Sequence, residues 1–488
     1  MRRRDFCKLA ASAALASPLS RVLGRSPAPD SANAEGTKPA ALPAEKSHAS
    51  SGLQKVWVRP GWLGLVTVDN KPFIPFGAMY FKPNTGWTPR FWKEFDAEAT
   101  RRDLLILKAH NFNTVRLWLT SLSFYPHPGA LDSAAIEKFD QFLALAEEAG
   151  IHVQVCALTT WQGRPVNEIP AWQRTDVFAD PHALEDQEQF WSLFAGRYKG
   201  RNVILTYELA NEPTVLWNTP AMQALWNKWN RKTTPIPPPK DNPGNADLLA
   251  FQHFREHVAD EWTRRQVAAI KKTDPDALVT IGLIQWSIPA IPNPPHFYSG
   301  FRPQRQAKFL DFMETHFYPL AAGGYRYQSE AIKLANLAYL ESVVREAALP
   351  GLPTVLAEFG WYGGGICPHY GPPRPATQQQ QADFCGQEVR TSTPLVSGWL
   401  NWAMYDDPVA KDVTRFSGLF TPDGKLKLWG RRFMEIAAEY QKNLPPAPLG
   451  RIGPRPELPW DACLTSSAAA EKFRLEYLEA FKREHFRT

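Results

Sequence analysis

The sequence predicts a single (β/α)8 TIM barrel, an α/β fold, on three observations. Eight apolar runs of strand length stand at 73–79, 114–119, 152–157, 202–209, 278–283, 311–316, 354–357 and 398–402. Longer segments of helical period separate them, among them 97–109, 133–149, 184–198, 249–271, 329–348 and 378–390. Eight such alternations fit a parallel sheet whose crossover helices return the chain each time, closed into a barrel. The third observation is that a carboxylate follows the end of two of the runs, Glu212 in YELANEP and Glu358 in LPTVLAEFG. Parallel strands are covered on both faces, so runs such as Val203-Ile204-Leu205 and Thr114-Val115 carry the continuous apolar character that position demands.

The first element is not part of the fold. Residues 2–20, RRRDFCKLAASAALASPLS, place a cationic start before a short Ala-rich stretch too brief to span a bilayer, which reads as an export signal. Arg3-Arg4-Asp5-Phe6-Cys7-Lys8 resembles the twin-arginine motif, with its Arg pair, aromatic residue and Lys. That resemblance implies a partner, the twin-arginine export machinery, and delivery of a folded protein to the periplasm or beyond. Ala32-Asn33-Ala34 supplies a small-residue cleavage site, giving a signal peptide over 1–34 and a flexible linker over 35–54. The formal charge of +6 sits largely there: removing 1–34 leaves 49 basic against 47 acidic residues. Such a balance gives no basis for a nucleic-acid partner, which calls for clustered Lys and Arg.

The catalytic domain is expected over 55–445. It opens with a hairpin, 64–68 and 73–76, turned by Asp69-Asn70-Lys71-Pro72 and closing the barrel floor. Two long insertions, 214–244 and 361–375, follow the glutamate-bearing strands, on the face where such barrels place active sites. Residues 446–488 hold a Pro-rich linker and a helix from 467 to 486, with Phe473, Tyr477 and Leu478 on the face that packs on the barrel. No stable membrane anchor is expected in the mature chain, and the sequence leaves the oligomeric state open.

Cys7 leaves with the signal, so Cys156, Cys367, Cys385 and Cys463 remain, with three full pairings open to them. At most one disulfide is expected. Cys156 lies in the apolar run IHVQVCAL as a buried thiol, while Cys367 and Cys385 flank one loop and could pair in an oxidising compartment. No Cys and His spacing suggests zinc, and no metal or organic cofactor is signalled.

Two glutamates on one barrel rim point to glycoside hydrolysis. One carboxylic acid must protonate the leaving oxygen while a second carboxylate acts on the anomeric carbon, about 5 to 5.5 Å away when configuration is retained. A lone Glu at a strand end is ordinarily a solvated or ion-paired side chain. A pair, one from strand four and one from strand seven, makes a better case for Glu212 and Glu358 as catalytic residues.

Residues 57–438 resemble clan A of the glycoside hydrolases and within it family 5, the cellulase and mannanase family. The resemblance rests on Asn211-Glu212-Pro213, on Glu358-Phe359-Gly360, on Arg116 in NTVRLWL, on His316 and Tyr318 in THFYP, and on Trp402 in WLNWAMYDDP. It implies that Glu212 is the acid/base and Glu358 the nucleophile. Arg116 and Tyr318 would keep Glu358 ionised, Asn211 would hold a sugar 2-hydroxyl, and His316 would orient Tyr318 or the acid. Trp402 would floor the sugar subsite. A barrel ion pair, with Glu208 as partner, is the structural alternative for Arg116. The chain departs from family 5 after strand three, where a His is common and Ala157-Leu158-Thr159-Thr160-Trp161 stands instead.

Of 18 Trp residues, Trp118, Trp161, Trp217, Trp286, Trp361 and Trp402 follow strands and are expected in the cleft, with Trp161 and Trp361 as substrate-binding residues beside Trp402. Trp92, Trp191 and Trp429 belong to helical segments and are expected in the core. The expected activity is that of a retaining β-glycosidase cleaving β-mannan or β-1,4-glucan type polysaccharides or oligosaccharides through a covalent glycosyl-enzyme. An exo-acting enzyme or a transglycosylase would use the same residues, whereas a noncatalytic carbohydrate-binding protein would need mispositioned carboxylates.

Overall fold

The computed structural model of the chain describes residues 52–59, 61, 63–85, 90–157, 169–319, 329–360, 376–410, 413–443 and 452–485. The export signal, Trp161, Trp361 and Cys367 lie outside them. So the Cys367–Cys385 pairing remains an expectation, and Cys385 itself is buried in a helix.

Three short strands come first: β1 (Val56–Val58), β2 (Leu65–Thr67) and β3 (Pro72–Phe73), joined as an antiparallel sheet in that order. The β2–β3 turn is the expected Asp-Asn-Lys one, with Asn70 in the left-handed region at φ 61°. The pairing of β1 onto β2 adds a strand beyond the hairpin foreseen in the sequence.

Eight parallel strands then close the barrel: β4 (Phe76–Met79), β5 (Thr114–Trp118), β6 (His152–Cys156), β7 (Ile204–Asn211), β8 (Val279–Leu283), β9 (Met313–His316), β10 (Thr354–Glu358) and β11 (Trp399–Asn401). Each follows its neighbour in sequence and β11 pairs back on β4, so the (β/α)8 expectation holds. β7 sits two residues later than its apolar run suggests. Asn202 turns its side chain to the carbonyl of Leu53, and the β6–β7 register begins at Val153 and Ile204. The shift carries Asn211 into the strand.

Helices begin and end where the side chains dictate. Asp96 accepts from Ala99 N ahead of Ala97–Ala109, and Asp132 accepts from Ala135 N ahead of Ser133–Ala149. Gly150, at φ 67°, ends the second of these, and Thr377 with Gln380 forms a reciprocal capping box for Gln378–Ser392.

The barrel interior is layered. At the floor, Leu205, Leu278, Phe312, Val355 and Leu400 form an apolar cluster with Val56 and Leu65, so the N-terminal sheet plugs that end. Above them lies a polar layer made of Arg116, Gln154, Glu208 and Glu314, all buried, and above that the strand ends that carry Glu212 and Glu358.

The insertion at 214–244 contains a helix, Pro220–Asn230, capped by Thr219. It is thus more than the loop that its Pro-rich stretch suggested. Trp217 and Trp226 pack on Phe251, and Arg255 lies 4.9 Å above the Trp217 ring, so Trp217 is scaffold rather than cleft. At the C-terminus, Trp460–Thr465 and Ser467–His485 are helical. Glu341 of helix Glu330–Ala348 accepts from Arg455 at 2.6 Å and from Tyr477 at 2.9 Å, fastening this tail to the barrel's outer ring. No helix among the described residues is long and apolar enough to cross a membrane.

Candidate active site

Both carboxylates emerge from strands that are distorted where they end. The β7–β8 register shifts between Glu208 and Asn211, and the β9–β10 register shifts between Leu356 and Glu358. Bulges of this kind turn the next side chain to a new direction. Glu212 follows at φ 49°, a left-handed conformation uncommon for a residue with a Cβ, and its N–H donates to the carbonyl of Gly282 at 2.8 Å. One carboxylate oxygen of Glu212, one of Glu358 and a ring nitrogen of His316 all lie within 4.8 Å of one another. Such an approach is in keeping with the close spacing of a retaining pair rather than the wider one of inversion.

Arg116 organises the layer beneath. Its Nε and Nη2 donate to the two oxygens of Glu208 at 2.6 and 2.5 Å, a planar fork on a carboxylate. Nη1 donates to Glu358 Oε1, and Nη2 also reaches Asn211 Oδ1 at 2.6 Å. Arg116 is thus both the barrel ion pair with Glu208 and the partner of Glu358. Tyr318 donates its hydroxyl to Glu358 Oε2 at 2.8 Å, so each oxygen of that carboxylate has a donor. Gln285 accepts from Tyr318 N at 2.5 Å and donates to Tyr318 O at 2.9 Å, clamping the tyrosine backbone from both sides.

His316 reaches Glu212 rather than Tyr318. Its Nδ1 lies 3.1 Å from Glu212 Oε1 and 3.6 Å from Glu358 Oε1, while Nε2 lies 3.3 Å from Glu314 Oε1. Gln154 Nε2 donates at 2.9 Å to both Glu208 and Glu314. Gly282 makes the packing feasible: a Cβ there would fall 2.4 Å from Glu208 Oε1 and 3.0 Å from the His316 ring.

Burial and neighbouring charge separate the roles of the carboxyls. Burial raises Glu212 well above the usual carboxylate range, with the charge of Glu358 adding to it and Arg116 opposing it, so Glu212 begins protonated. Burial also lifts Glu358, but the charge of Arg116 and the hydrogen bonds from Tyr318 and Arg116 hold it to about 7. His316 is driven well below its ordinary value by burial and by Arg116, and is neutral. Glu208, Glu314 and His316 bring ligand atoms within 4.8 Å of one another, the spacing of a metal site. The Arg116 guanidinium already occupies both oxygens of Glu208 with a fixed positive charge, which disfavours a second cation there.

The Trp402 ring sits 5.3 Å from that of Trp118 and 5.7 Å from that of Phe81, and Nε1 donates to Thr414 at 2.8 Å. It is pinned on the β11 side of the site. Trp286 is half-buried beside Phe297, and Trp92, Trp191 and Trp429 are buried in the core. The structure brings together Arg116, Asn211, Glu212, His316, Tyr318 and Glu358. Gln154, Glu314, Gln285 and Gly282 join them without having been singled out in the sequence. The signal for one of them was present: Gln154 is a polar residue between Val153 and Val155 in an apolar strand run, and a buried polar residue is the informative exception.

A closed eight-stranded barrel whose fourth and seventh strands present a protonated and a hydrogen-bonded carboxyl side by side defines a glycoside hydrolase. The sequence model of Cellulase (glycosyl hydrolase family 5) matches residues 71–406, and the chain belongs to that family. No curated protein matches the chain in sequence. Among solved structures it is similar to the exo-β-1,4-mannosidase Op5Man5 from Opitutaceae bacterium strain TAV5, at 20% identity and TM-score 0.58 over 79% of this chain. It spans 63% of that enzyme's length. It is also similar to a GH5_18 variant from Streptomyces cattleya in complex with Manβ1-4GlcNAc, at 21% identity and TM-score 0.60, covering 84% of this chain and 92% of that one. A GH5_18 protein from Bifidobacterium longum subsp. infantis matches at 20% identity and TM-score 0.56, covering 77% and 81%. At these identities the likeness is one of fold.

Proposed function

We propose that this chain is a retaining β-glycosidase acting on β-linked mannosides, with β-1,4-glucans as the second substrate class. The observation that carries the mechanism is the close pair of Glu212 and Glu358, one held protonated and one held by Arg116 and Tyr318. In the first displacement Glu358 attacks the anomeric carbon. The glycosidic C–O bond breaks, and the Glu212 proton goes to the leaving oxygen. The negative charge of Glu358 is then consumed in the ester, which lowers the proton affinity of Glu212 and turns it into a base. Glu212 takes a proton from water, the water oxygen attacks the anomeric carbon, and Glu358 leaves. With its Oδ1 held by Arg116, Asn211 turns its amide hydrogens to the sugar 2-hydroxyl. Trp402 covers the apolar ring face of the sugar.

The choice of mannosides draws on the named ligands and activity of the similar structures, an exo-β-1,4-mannosidase and a complex with Manβ1-4GlcNAc. Product release from β-mannans, mannooligosaccharides, Manβ1-4GlcNAc, β-glucans and xylan tests it, with Glu358→Ala in parallel. Release of single mannose units marks exo action and longer products mark endo action. Glucan cleavage without mannoside cleavage would reassign the sugar, and activity retained in Glu358→Ala would remove the mechanism. We also propose that residues 1–34 direct twin-arginine export to the periplasm. Replacing Arg3 and Arg4 by Lys should leave the protein in the cytoplasm, and undiminished export would refute this.

A further inference from the structure

The polar layer holds more acid than Arg116 can neutralise. Glu208, Glu212, Glu314 and Glu358 surround one guanidinium and one neutral imidazole, and Glu208 and Glu358 already occupy the guanidinium as its direct partners. Glu314 is fully buried and receives only a long approach from Arg116 Nε, at 3.7 Å, whose hydrogen is committed to Glu208. Both hydrogens of Gln154 Nε2 are used, one on Glu208 and one on Glu314 Oε2. Among the described residues that leaves His316 Nε2, at 3.3 Å, as the hydrogen-bond partner of Glu314 Oε1. A third unneutralised carboxylate in this interior would be costly, and a proton on Oε1 removes the cost.

Resting on the glycosidase reading above, we infer that Glu314 is a positioning residue: protonated on Oε1, it donates to His316 Nε2 and thereby fixes the imidazole as the Nδ1–H tautomer that holds Glu212. The two tautomers have opposite consequences for the acid. With the hydrogen on Nδ1, His316 donates to Glu212 Oε1 at 3.1 Å, and the acid proton resides on Oε2. With the hydrogen on Nε2, the bare Nδ1 would draw the Glu212 proton to Oε1, away from the leaving group. Burial, with the charge of Glu208 adding to it, raises Glu314 well above the carboxylate range, in keeping with the proton it carries. The charged and titratable groups facing Glu314 are Arg116, Glu208, His316 and Glu358. Neither Glu314 nor Gln154 touches the reacting atoms in this arrangement: Glu314 acts through His316, and Gln154 holds Glu314 and Glu208 in place.

The test is nitrogen NMR of the full-length protein labelled at histidine, with His316 assigned by loss of its signals in His316→Gln. The expected result is a protonated Nδ1 and an unprotonated Nε2 that do not titrate between about pH 5 and 8. Glu314→Gln offers an amide hydrogen in place of the acid proton and should keep that pattern, whereas Glu314→Met removes the donor and should lose it. In turnover, Glu314→Met should lower kcat by about tenfold or more on a glycoside with a poor leaving group and far less on a dinitrophenyl glycoside, which needs no acid, with Glu314→Gln restoring most of the loss. A wild-type His316 protonated on Nε2, or loss of the Nδ1–H pattern in Glu314→Gln, would overturn the inference. If Glu314→Met fails to fold, the wild type and Glu314→Gln still decide it. The NMR result stands independently of turnover, so absence of glycosidase activity would reject the proposed function and leave the tautomer measured.

Discussion

Gly282→Ala is a one-carbon change on β8, away from the expected sugar contacts, yet it should disable the enzyme. The added Cβ would lie 2.4 Å from Glu208 Oε1 and 3.0 and 3.1 Å from His316 Cε1 and Nε2. Distances under 3 Å are not tolerated, and neither neighbour is a free surface group. Glu208 is held by Arg116 at 2.5 and 2.6 Å, and His316 is buried between Glu212 and Glu314. Overpacking alone costs about 1–3 kcal/mol. Pushing Glu208 off Arg116 also loosens a buried ion pair, whose full rupture costs about 3–5 kcal/mol, so a loss of about 3 kcal/mol is expected. The same displacement moves His316 and Arg116 relative to Glu212 and Glu358, and an error of about 1 Å in the proposed site should lower turnover by about 100-fold. Urea unfolding gives the first quantity and kcat the second. Gly196→Ala is the control: its Cβ would meet nothing closer than 3.8 Å on an exposed helix face, and it should stabilise by about 0.5–1 kcal/mol. Wild-type stability and kcat in Gly282→Ala would refute the packing argument.

Other consequences follow from the same network. Glu358→Ala and Glu212→Ala should each remove most turnover, the second by about 10²–10⁴-fold, while circular dichroism remains that of the wild type. Because Glu358 must be ionised and Glu212 protonated, kcat/KM should be bell-shaped in pH, with its rising limb at about 7 and its falling limb above that. Tyr318→Phe removes a hydrogen bond to the ionised form of Glu358, so the rising limb should move to higher pH; movement to lower pH would contradict the assignment. The folded-state value of Glu358 lies above its ordinary 4.5, so the stability it contributes is whole below 4.5 and lost as pH rises to about 7. Urea midpoints of the wild type should fall over that window relative to those of Glu358→Gln.

Much of this was written in local sequence. The eight strands were legible because parallel barrel strands are buried on both faces, so most appear as short apolar runs, and the regular alternation with helical segments placed the more polar one at 311–316. Helix limits were legible where a cap marks them, as with Asp96, Asp132 and Gly150. Elements lacking such signals were not: β1 has only three residues, and helix Pro220–Asn230 sits in a long insertion whose proline cluster at 235–239 drew the reading towards a loop. The paired glutamates stood out because each lies at a strand end, Glu358 as the last residue of β10 and Glu212 just after β7. Their supporting layer did not, because its contacts join residues far apart in sequence, Gln154 to Glu314 and Gln285 to Tyr318. Trp217 misled for a related reason: its place after a strand suggested a cleft, and only the fold reveals Arg255 stacked over it.

The most direct test is the anomeric configuration of the first product released from a cleaved β-mannoside, followed by proton NMR before mutarotation intervenes. Double displacement through Glu358 with Glu212 as acid and base predicts that the β-anomer appears first and the α-anomer only later. Initial release of the α-anomer would mean a single displacement by water and would contradict the roles assigned to the pair.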